Sequence, residues 1–143
     1  MRTLWRALTR NHAVTDAASR DPALRGRTYA IPFQAVWTEA IRLADGERPG
    51  GLPRWRLIAA DGDEGVVEAE AVTPVLRSLV DVRIEVGLDE NAQTRVDAAS
   101  RSRGAGPDFG ANRRRIRRFL AALDERLEAM RVPEERPGAG VRA

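Results

Sequence analysis

The chain has 143 residues and a net charge of +3, with 24 basic residues that are all arginine, 21 acidic residues, one histidine and no cysteine. The lack of cysteine excludes disulfides, thiolate nucleophiles and cysteine metal sites, and His12 alone builds neither a zinc site nor a histidine triad within one chain. This length predicts a single domain that buries about 70% of the surface of the unfolded chain. No uncharged apolar run approaches the ~18 residues of a membrane span, so we expect a cytoplasmic protein, and we predict no metal or cofactor.

Three segments are predicted along the chain: a polar leader (1–27), a single α+β domain (28–131) and a flexible tail (132–143). The tail is predicted from its proline and glycine content. The leader carries Leu4, Trp5 and Leu8 at helical spacing among arginines. A segment with this pattern either docks on the protein as a short helix or lies on a membrane surface.

The domain is predicted to begin with a strand over 27–32 and a helix to about Ala44, because Pro32 suits the first turn of a helix. Alternation of apolar and polar residues then predicts several strands, at 54–60, 66–73, 76–80, 81–88 and 94–103. A long helix over 109–131 follows, since Asp108 is a good N-cap residue and one stripe of this segment is apolar. The order β-α-β(3-5)-α predicts an α+β fold with two helices on one face of an antiparallel sheet of about five strands.

This order of elements resembles the helix-grip architecture of START-like lipid and small-ligand binders. The stretch AIPFQAVW (30–37) and the later Trp55 are also similar to that superfamily. In such proteins a curved sheet wraps a long terminal helix. The resemblance therefore implies a cavity between sheet and helix that holds an apolar small molecule.

The start of the last helix, DFGANRRRIRRFL (108–120), is rich in arginine. Its Asp-Phe-Gly tripeptide does not indicate a kinase, since the chain lacks a glycine-rich loop, lysine and a His-Arg-Asp loop. Residues 95–118 hold eight arginines and two aspartates, a local charge of +6. At 100° per residue from Ile116, most arginines of the run point away from the apolar stripe; these are Arg114, Arg115, Arg117 and Arg118. They form either a solvated face or a surface for nucleic acid or an anionic membrane, and no aromatic residues are interleaved to favour single strands.

Three polar residues occupy positions where apolar ones are expected. Ser100 and Ser102 share the inward side of their strand with Val96 and Ala98, and Asn112 lies on the apolar stripe of the last helix. A buried amide needs hydrogen-bond partners. These residues therefore either tie the loop 103–108 between strand and helix, or form a site for an anion or polar ligand at the helix N-terminus.

The ligand hypothesis assigns three roles. Anion contacts come from Arg101, Arg103 and Arg113. The orienting hydrogen bonds come from Ser100, Ser102 and Asn112. Asp108 holds the start of the helix, and Asp81 with Arg83 supports the site.

The same stretch resembles the signature of the domain of unknown function 1499 family. The matching positions are Ser100, Ser102, Arg103, Asp108, Gly110, Asn112, Arg115 and Ile116. The segment LVDVRI (79–84) is similar to an acidic stretch of that family, but Asp81 alone remains of its acid pair, and a cysteine that many members carry is missing. The resemblance spans roughly residues 28–127 and implies no particular activity. These departures put acid-pair and thiol chemistry in doubt for this chain.

We therefore predict a non-enzymatic binding module for an anionic or polar small molecule at the start of the C-terminal helix, with no catalytic residue. One alternative is a START-like cavity for an apolar ligand. The other is association with nucleic acid or an anionic membrane through the arginine-rich helix.

Overall fold

The computed structural model describes residues 12–16, 19–104, 108 and 110–131. Within this part, the strands are β1 (His12–Val14), β2 (Arg27–Tyr29), β3 (Trp55–Asp61), β4 (Val66–Val72), β5 (Leu79–Leu88) and β6 (Thr94–Ser102). The helices are α1 (Phe33–Ala44) and α2 (Ala111–Arg131), with a short 3-10 turn at Pro22–Leu24. The predicted α+β class is confirmed, with six strands in place of about five. No helix in the described residues is long and apolar enough to cross a membrane.

All strand pairs are antiparallel, and the sheet runs in the order β1-β6-β5-β4-β3. β2 also pairs with β6, so β1 and β2 share one edge of that strand, β1 opposite residues 99–101 and β2 opposite residues 94–96. β3 forms the other edge of the sheet. The long strand β6 is therefore covered on both sides, and it connects directly to the segment that precedes α2.

From the sequence, the domain was predicted to start at residue 28. The sheet, however, begins earlier in the chain. β1 lies within the predicted leader and is followed by the buried Thr15. The Thr15 hydroxyl donates to Asp97 Oδ1 at 2.8 Å and accepts from the Ala98 amide at 3.0 Å. A three-residue strand is too short to show alternation, which is why the sequence pattern did not reveal it. Leu4, Trp5, Leu8 and the tail after residue 131 lie outside the described residues.

One hydrophobic core joins the inner face of the sheet to both helices. The predicted alternation of β5 buries Val82, Ile84 and Val86, and Val80 is buried as well. Leu88, which was also predicted to face inward, is 62% exposed at the end of the strand. α2 contributes large side chains that are almost completely buried: Ile116, Phe119, Leu120, Leu123 and Leu127. Each such burial stabilises the fold by roughly 1.5–3 kcal/mol. These side chains occupy the face of α2 that turns toward the sheet.

The segment 73–78, part of which was predicted as a short strand at 76–80, is an exposed turn. The Thr73 amide donates to the Ser78 carbonyl at 3.0 Å, and the Ser78 amide donates back to the Thr73 hydroxyl at 2.9 Å. Arg77 adopts a positive φ of 56°, a conformation that reverses the chain and is incompatible with a strand. β5 therefore starts at Leu79, and Val75 and Leu76 stand out in solvent at the tip of the turn.

Candidate functional site

A buried polar cluster joins β6 to the first turn of α2; we call it the inner cluster, and it consists of Ser100, Ser102, Asp108, Asn112 and Arg115. Ser100 and Asn112 are completely buried. The Ser100 hydroxyl donates to Asn112 Oδ1 at 2.6 Å, and Asn112 Nδ2 donates to Ser102 Oγ at 3.0 Å. The inward orientation of both serines follows from the period of two along β6, which also places Val96 and Ala98 in the core.

Asp108 caps the start of α2. Its carboxylate accepts from the Gly110 amide at 2.9 Å, the Asn112 amide at 3.1 Å and Asn112 Nδ2 at 2.7 Å. Gly110 has a φ of +82°, which glycine adopts without a steric penalty and which turns the chain into the helix. Partial burial acts to raise the pKa of Asp108, but the hydrogen bonds from Gly110 and Asn112 together outweigh it and lower the pKa. The carboxylate is thus held charged at the positive end of the helix dipole.

Arg115 is the member of the inner cluster that helical geometry alone did not place there. Its guanidinium donates to Asn112 Oδ1 at 2.9 Å and to Ser100 Oγ at 3.2 Å. Burial, followed by repulsion from Arg118, lowers its pKa. The angle of about −100° from Ile116 pointed to solvent, yet a long side chain reaches back to the strand. The signal that did identify Arg115 was the family motif, in which this arginine follows Asn112.

Asn112 has its full hydrogen-bonding capacity used within the inner cluster. A primary amide offers two donors and two acceptor sites. The donors go to Ser102 and Asp108, and the acceptor sites receive Ser100 and Arg115. Among the described residues, no buried side-chain nitrogen or oxygen lacks a partner. This arrangement favours the structural interpretation of the cluster, in which it fastens α2 to β6.

Arg101 and Arg103 lie on the opposite face of the sheet from the inner cluster. Arg103 donates to Asp81 at 2.6 Å and also to Glu70, and Arg101 lies 3.8 Å from Asp81. The strand register explains this grouping, because Glu70, Asp81 and Arg101 are directly opposite one another on β4, β5 and β6. The hydrogen bonds that Arg103 donates to Asp81 and then to Glu70 raise the pKa of Arg103. We call Arg56, Glu70, Asp81, Arg101 and Arg103 the outer network.

Asp81 and Arg83, which were predicted to support the site, also lie on the outer face of the sheet. Arg83 contacts Glu85 at 3.1 Å and Glu68 at 3.3 Å, while Asp81 binds Arg103. The structure therefore brings Ser100, Ser102, Asp108 and Asn112 together, and it does not bring Arg101, Arg103, Asp81 or Arg83 to them. The physical reason is the strand period, which sends residues 100 and 101 to opposite faces.

Four arginines in the first two turns of α2 remain exposed: Arg113, Arg114, Arg117 and Arg118. Arg117 lies 3.5 Å from Asp21. The first turn of α2 contains no acidic residue, and these cations stand near the positive end of the helix dipole, where the capping carboxylate is that of Asp108. Arg113, the remaining predicted contact residue, belongs to this exposed group and not to the inner cluster.

The two ends of the sheet differ in charge. At one end, which we call the arginine end, lie the turn 73–78, the start of β3, the end of β6 and the start of α2. Exposed arginines at this end are Arg54, Arg77, Arg113 and Arg114. We call the other end the acidic end. Its turn 61–65 carries two aspartates and one glutamate, and its turn 89–93 carries one aspartate and one glutamate.

The chain is similar in fold to solved structures at low sequence identity. A Nitrosospira multiformis protein matches with a TM-score of 0.51 and 13% identity over 78% of this chain and 92% of that chain. A Thermus thermophilus protein matches with a TM-score of 0.44 and 17% identity, covering 83% of this chain and 98% of that chain. Ara h 8.0201 matches with a TM-score of 0.36 and 14% identity, covering 73% of this chain and 95% of that chain. The first of these likenesses shows a shared fold.

None of the curated proteins matches the chain. The family described as "Protein of unknown function (DUF1499)" matches residues 6–123. This range includes β1, which precedes the predicted domain, and every residue of the inner cluster. The match covers most of the sequence, and the chain therefore belongs to the DUF1499 family.

Proposed function

We propose that the protein is a binding module for anionic groups and that it recognises them through the exposed arginines at the start of α2. The observation that carries this proposal is the group Arg113, Arg114, Arg117 and Arg118, four exposed cations in two helical turns without an acidic residue in the first turn. Clustered cations of this kind create a local positive potential that attracts anions. A bound anion would also relieve their unfavourable interaction with the helix dipole.

In this proposal, the inner cluster positions the helix and does not itself contact the ligand. Ser100 and Asn112 are completely buried, and the polar atoms of Asn112 are already paired. Arg103 is likewise occupied by two carboxylates on the outer face. From the sequence, the anion contacts were assigned to Arg101, Arg103 and Arg113. We now assign these contacts to the exposed arginines of α2, a group that includes Arg113.

The interior of the domain favours binding at the exposed arginines of α2 over binding of an apolar ligand in a START-like cavity. A cavity for an apolar ligand would lie between the sheet and the inward face of α2. That face carries Phe119, Leu120 and Leu123, which are all completely buried, and the Phe119 ring stacks on Trp55 with 5.7 Å between ring centroids. Aromatic and aliphatic side chains buried and stacked in this way are typical of a structural core.

The test is the binding of fluorescein-labelled heparin, a polyanion without bases or acyl chains, measured by fluorescence anisotropy at several salt concentrations. We expect salt-sensitive binding that weakens at least about tenfold when Arg113, Arg114 and Arg118 are changed together to glutamine. Arg117 is left in place because it already contacts Asp21.

The matched control changes Arg42, Arg48 and Arg56 to glutamine, which removes three positive charges from outside α2. This control should retain most of the heparin binding. Equal losses in the two triple variants would show a general charge effect and would overturn the assignment to α2. Absent or salt-insensitive binding of the unaltered protein would overturn the proposed function itself.

A further inference from the structure

The turn 73–78 presents two adjacent aliphatic side chains to solvent. Val75 is 86% exposed and Leu76 is 81% exposed, the highest values among the large hydrophobic residues of the described chain. Single exposed hydrophobic residues are common on protein surfaces and need no explanation. Two adjacent hydrophobic residues at the tip of a turn are different, because both side chains can leave water together for an apolar environment.

The backbone of the turn enforces this exposure. The Arg77 amide donates to the Thr73 carbonyl at 3.1 Å, and two further hydrogen bonds join Thr73 to Ser78. These contacts close the turn at its base. Val75 and Leu76 are therefore held at the tip, away from the core, by bonds that do not involve their own side chains.

The tip lies at the arginine end of the molecule. β4 ends and β5 begins there, and the antiparallel register brings the start of β3 and the end of β6 to the same level. Exposed arginines occur at this end of the sheet: Arg54, Arg77, Arg113 and Arg114. The carboxylates at this end, Glu70 and Asp81, are bound by Arg103. The acidic turns 61–65 and 89–93 lie at the opposite end. An end of the molecule with an excess of exposed basic side chains has the charge that suits an anionic surface.

We propose that the protein docks on an anionic lipid bilayer through its arginine end. Val75 and Leu76 enter the boundary between headgroups and acyl chains, and the exposed arginines at this end contact lipid phosphates. Apolar side chains on a basic surface are the combination that interfacial membrane binding requires. This inference rests on the proposed function and deepens it by naming the partner that carries the anionic groups.

The apolar tip favours a bilayer over a nucleic acid as this partner. Nucleic-acid phosphates would satisfy the arginines, but single strands bind through aromatic stacking, and the tip offers aliphatic side chains.

The test is co-sedimentation of the full chain with vesicles of phosphatidylcholine alone or with about 30% phosphatidylglycerol. We expect binding to the anionic vesicles at low salt and little binding to the neutral ones. Changing Val75 and Leu76 together to serine should weaken vesicle partitioning by roughly 100-fold, because two aliphatic side chains no longer leave water. The same variant should bind heparin as the unaltered protein does.

The matched control changes Ile58 and Leu88 to serine, two hydrophobic residues that are 50% and 62% exposed away from the tip. This variant should sediment with anionic vesicles like the unaltered protein. Equal binding to neutral vesicles would overturn the role of the arginines. Undiminished binding of the Val75→Ser, Leu76→Ser variant would overturn insertion of the tip. If the unaltered protein bound heparin but no vesicles, membrane docking alone would be overturned. If it bound neither heparin nor vesicles, the proposed function would be overturned as well.

A second measurement keeps the inference testable if the double variant does not fold. The chain contains no cysteine, so Leu76→Cys creates a single labelling site for a polarity-sensitive fluorophore. Anionic vesicles should shift the emission of this probe to the blue. A probe at Asp63→Cys, in an acidic turn at the other end, should not shift. Identical responses at the two positions would overturn the proposed orientation.

Discussion

The inner cluster and the outer network lie on opposite faces of β6 and are built from consecutive residues of the same strand. Ser100 and Ser102 point into the domain, and Arg101 and Arg103 point out. The inner cluster has a completely buried amide at its centre, whereas the arginines and carboxylates of the outer network are in contact with solvent. The outer network contains more charge, but water can replace any of its contacts.

The comparison shows that burial, more than charge, decides how much a polar contact stabilises the fold. A buried donor or acceptor that loses its partner incurs its full desolvation cost, because no water reaches it. An exposed ion pair contributes little, since its ions are nearly as well solvated when separated. Mutations on the two sides of β6 should therefore have very different effects on stability.

The largest effect is expected for Asn112→Ala. The change removes the partner of Ser100, Ser102, Asp108 and Arg115 at once and leaves a small cavity. We expect the free energy of unfolding to fall by about 2–4 kcal/mol, measured by urea denaturation monitored by circular dichroism. The neighbouring Arg113→Ala is the control, because Arg113 is exposed on the same helical turn. Similar urea midpoints for the two variants would contradict the central role of Asn112.

An intermediate effect is expected for Tyr29→Phe, which removes one of the two side-chain contacts that Asp124 of α2 makes with β2. The Tyr29 hydroxyl donates to Asp124 Oδ1 at 2.7 Å, and Arg27 binds the same carboxylate. Asp124 is partly exposed, so we expect a loss of about 1 kcal/mol near neutral pH. Urea denaturation of both proteins measures this difference.

The pH dependence of this contact has a definite sign. Burial, then the hydrogen bond to Asp124, raises the pKa of Tyr29 above its ordinary value of about 10. Its contribution to stability is therefore complete below pH about 10 and is lost as the pH rises toward the folded-state pKa. The chain has one tyrosine, no lysine and no cysteine, so tyrosinate absorbance reports Tyr29 alone. Ionisation of the folded protein near pH 10 would contradict the geometry, and Tyr29→Phe should remove the alkaline loss of stability.

The smallest effect is expected for Arg103→Ala in the outer network. Arg103 contacts Asp81 and Glu70, but its side chain is 43% exposed. Water and Arg56, which also binds Glu70 at 2.7 Å, can compensate for its loss. We expect the melting temperature to fall by at most about 2 °C in differential scanning calorimetry. A decrease as large as that of Asn112→Ala would show that the outer network is as important as the inner cluster.

The sequence predicted most of the fold because its longer elements are strongly periodic. β5 alternates from Leu79 to Gly87, and α1 and α2 carry apolar stripes, so the existence and type of these elements were predicted correctly. Ser100, Ser102 and Asn112 were expected to face inward for the same reason, and they do. The role of these residues in ligand binding remains a prediction.

What the sequence could not reveal depends on contacts between distant segments. In the hairpin of β5 and β6, Glu85 lies opposite Asp97, and Arg95 binds Asp97 of its own strand. This register is set by the turn 89–93, where Ala92 adopts a positive φ of 61°. Arg115 was missed because a long side chain can cross from the helix surface to a strand. Such contacts follow from three-dimensional packing and leave no period in the sequence.

The irregular edge strand β3 has a consequence for the behaviour of the protein at high concentration. Its register with β4 shifts between Leu57 and Ala59, and Ile58 is half exposed at this position. A regular edge strand offers a row of free amides and carbonyls on which a second molecule can continue the sheet. The bulge interrupts that row, and the flanking Arg54 and Arg56 repel an identical edge. β3 thus discourages fibrillar aggregation, and the other sheet edge consists of the two short strands β1 and β2, which offer little backbone for pairing.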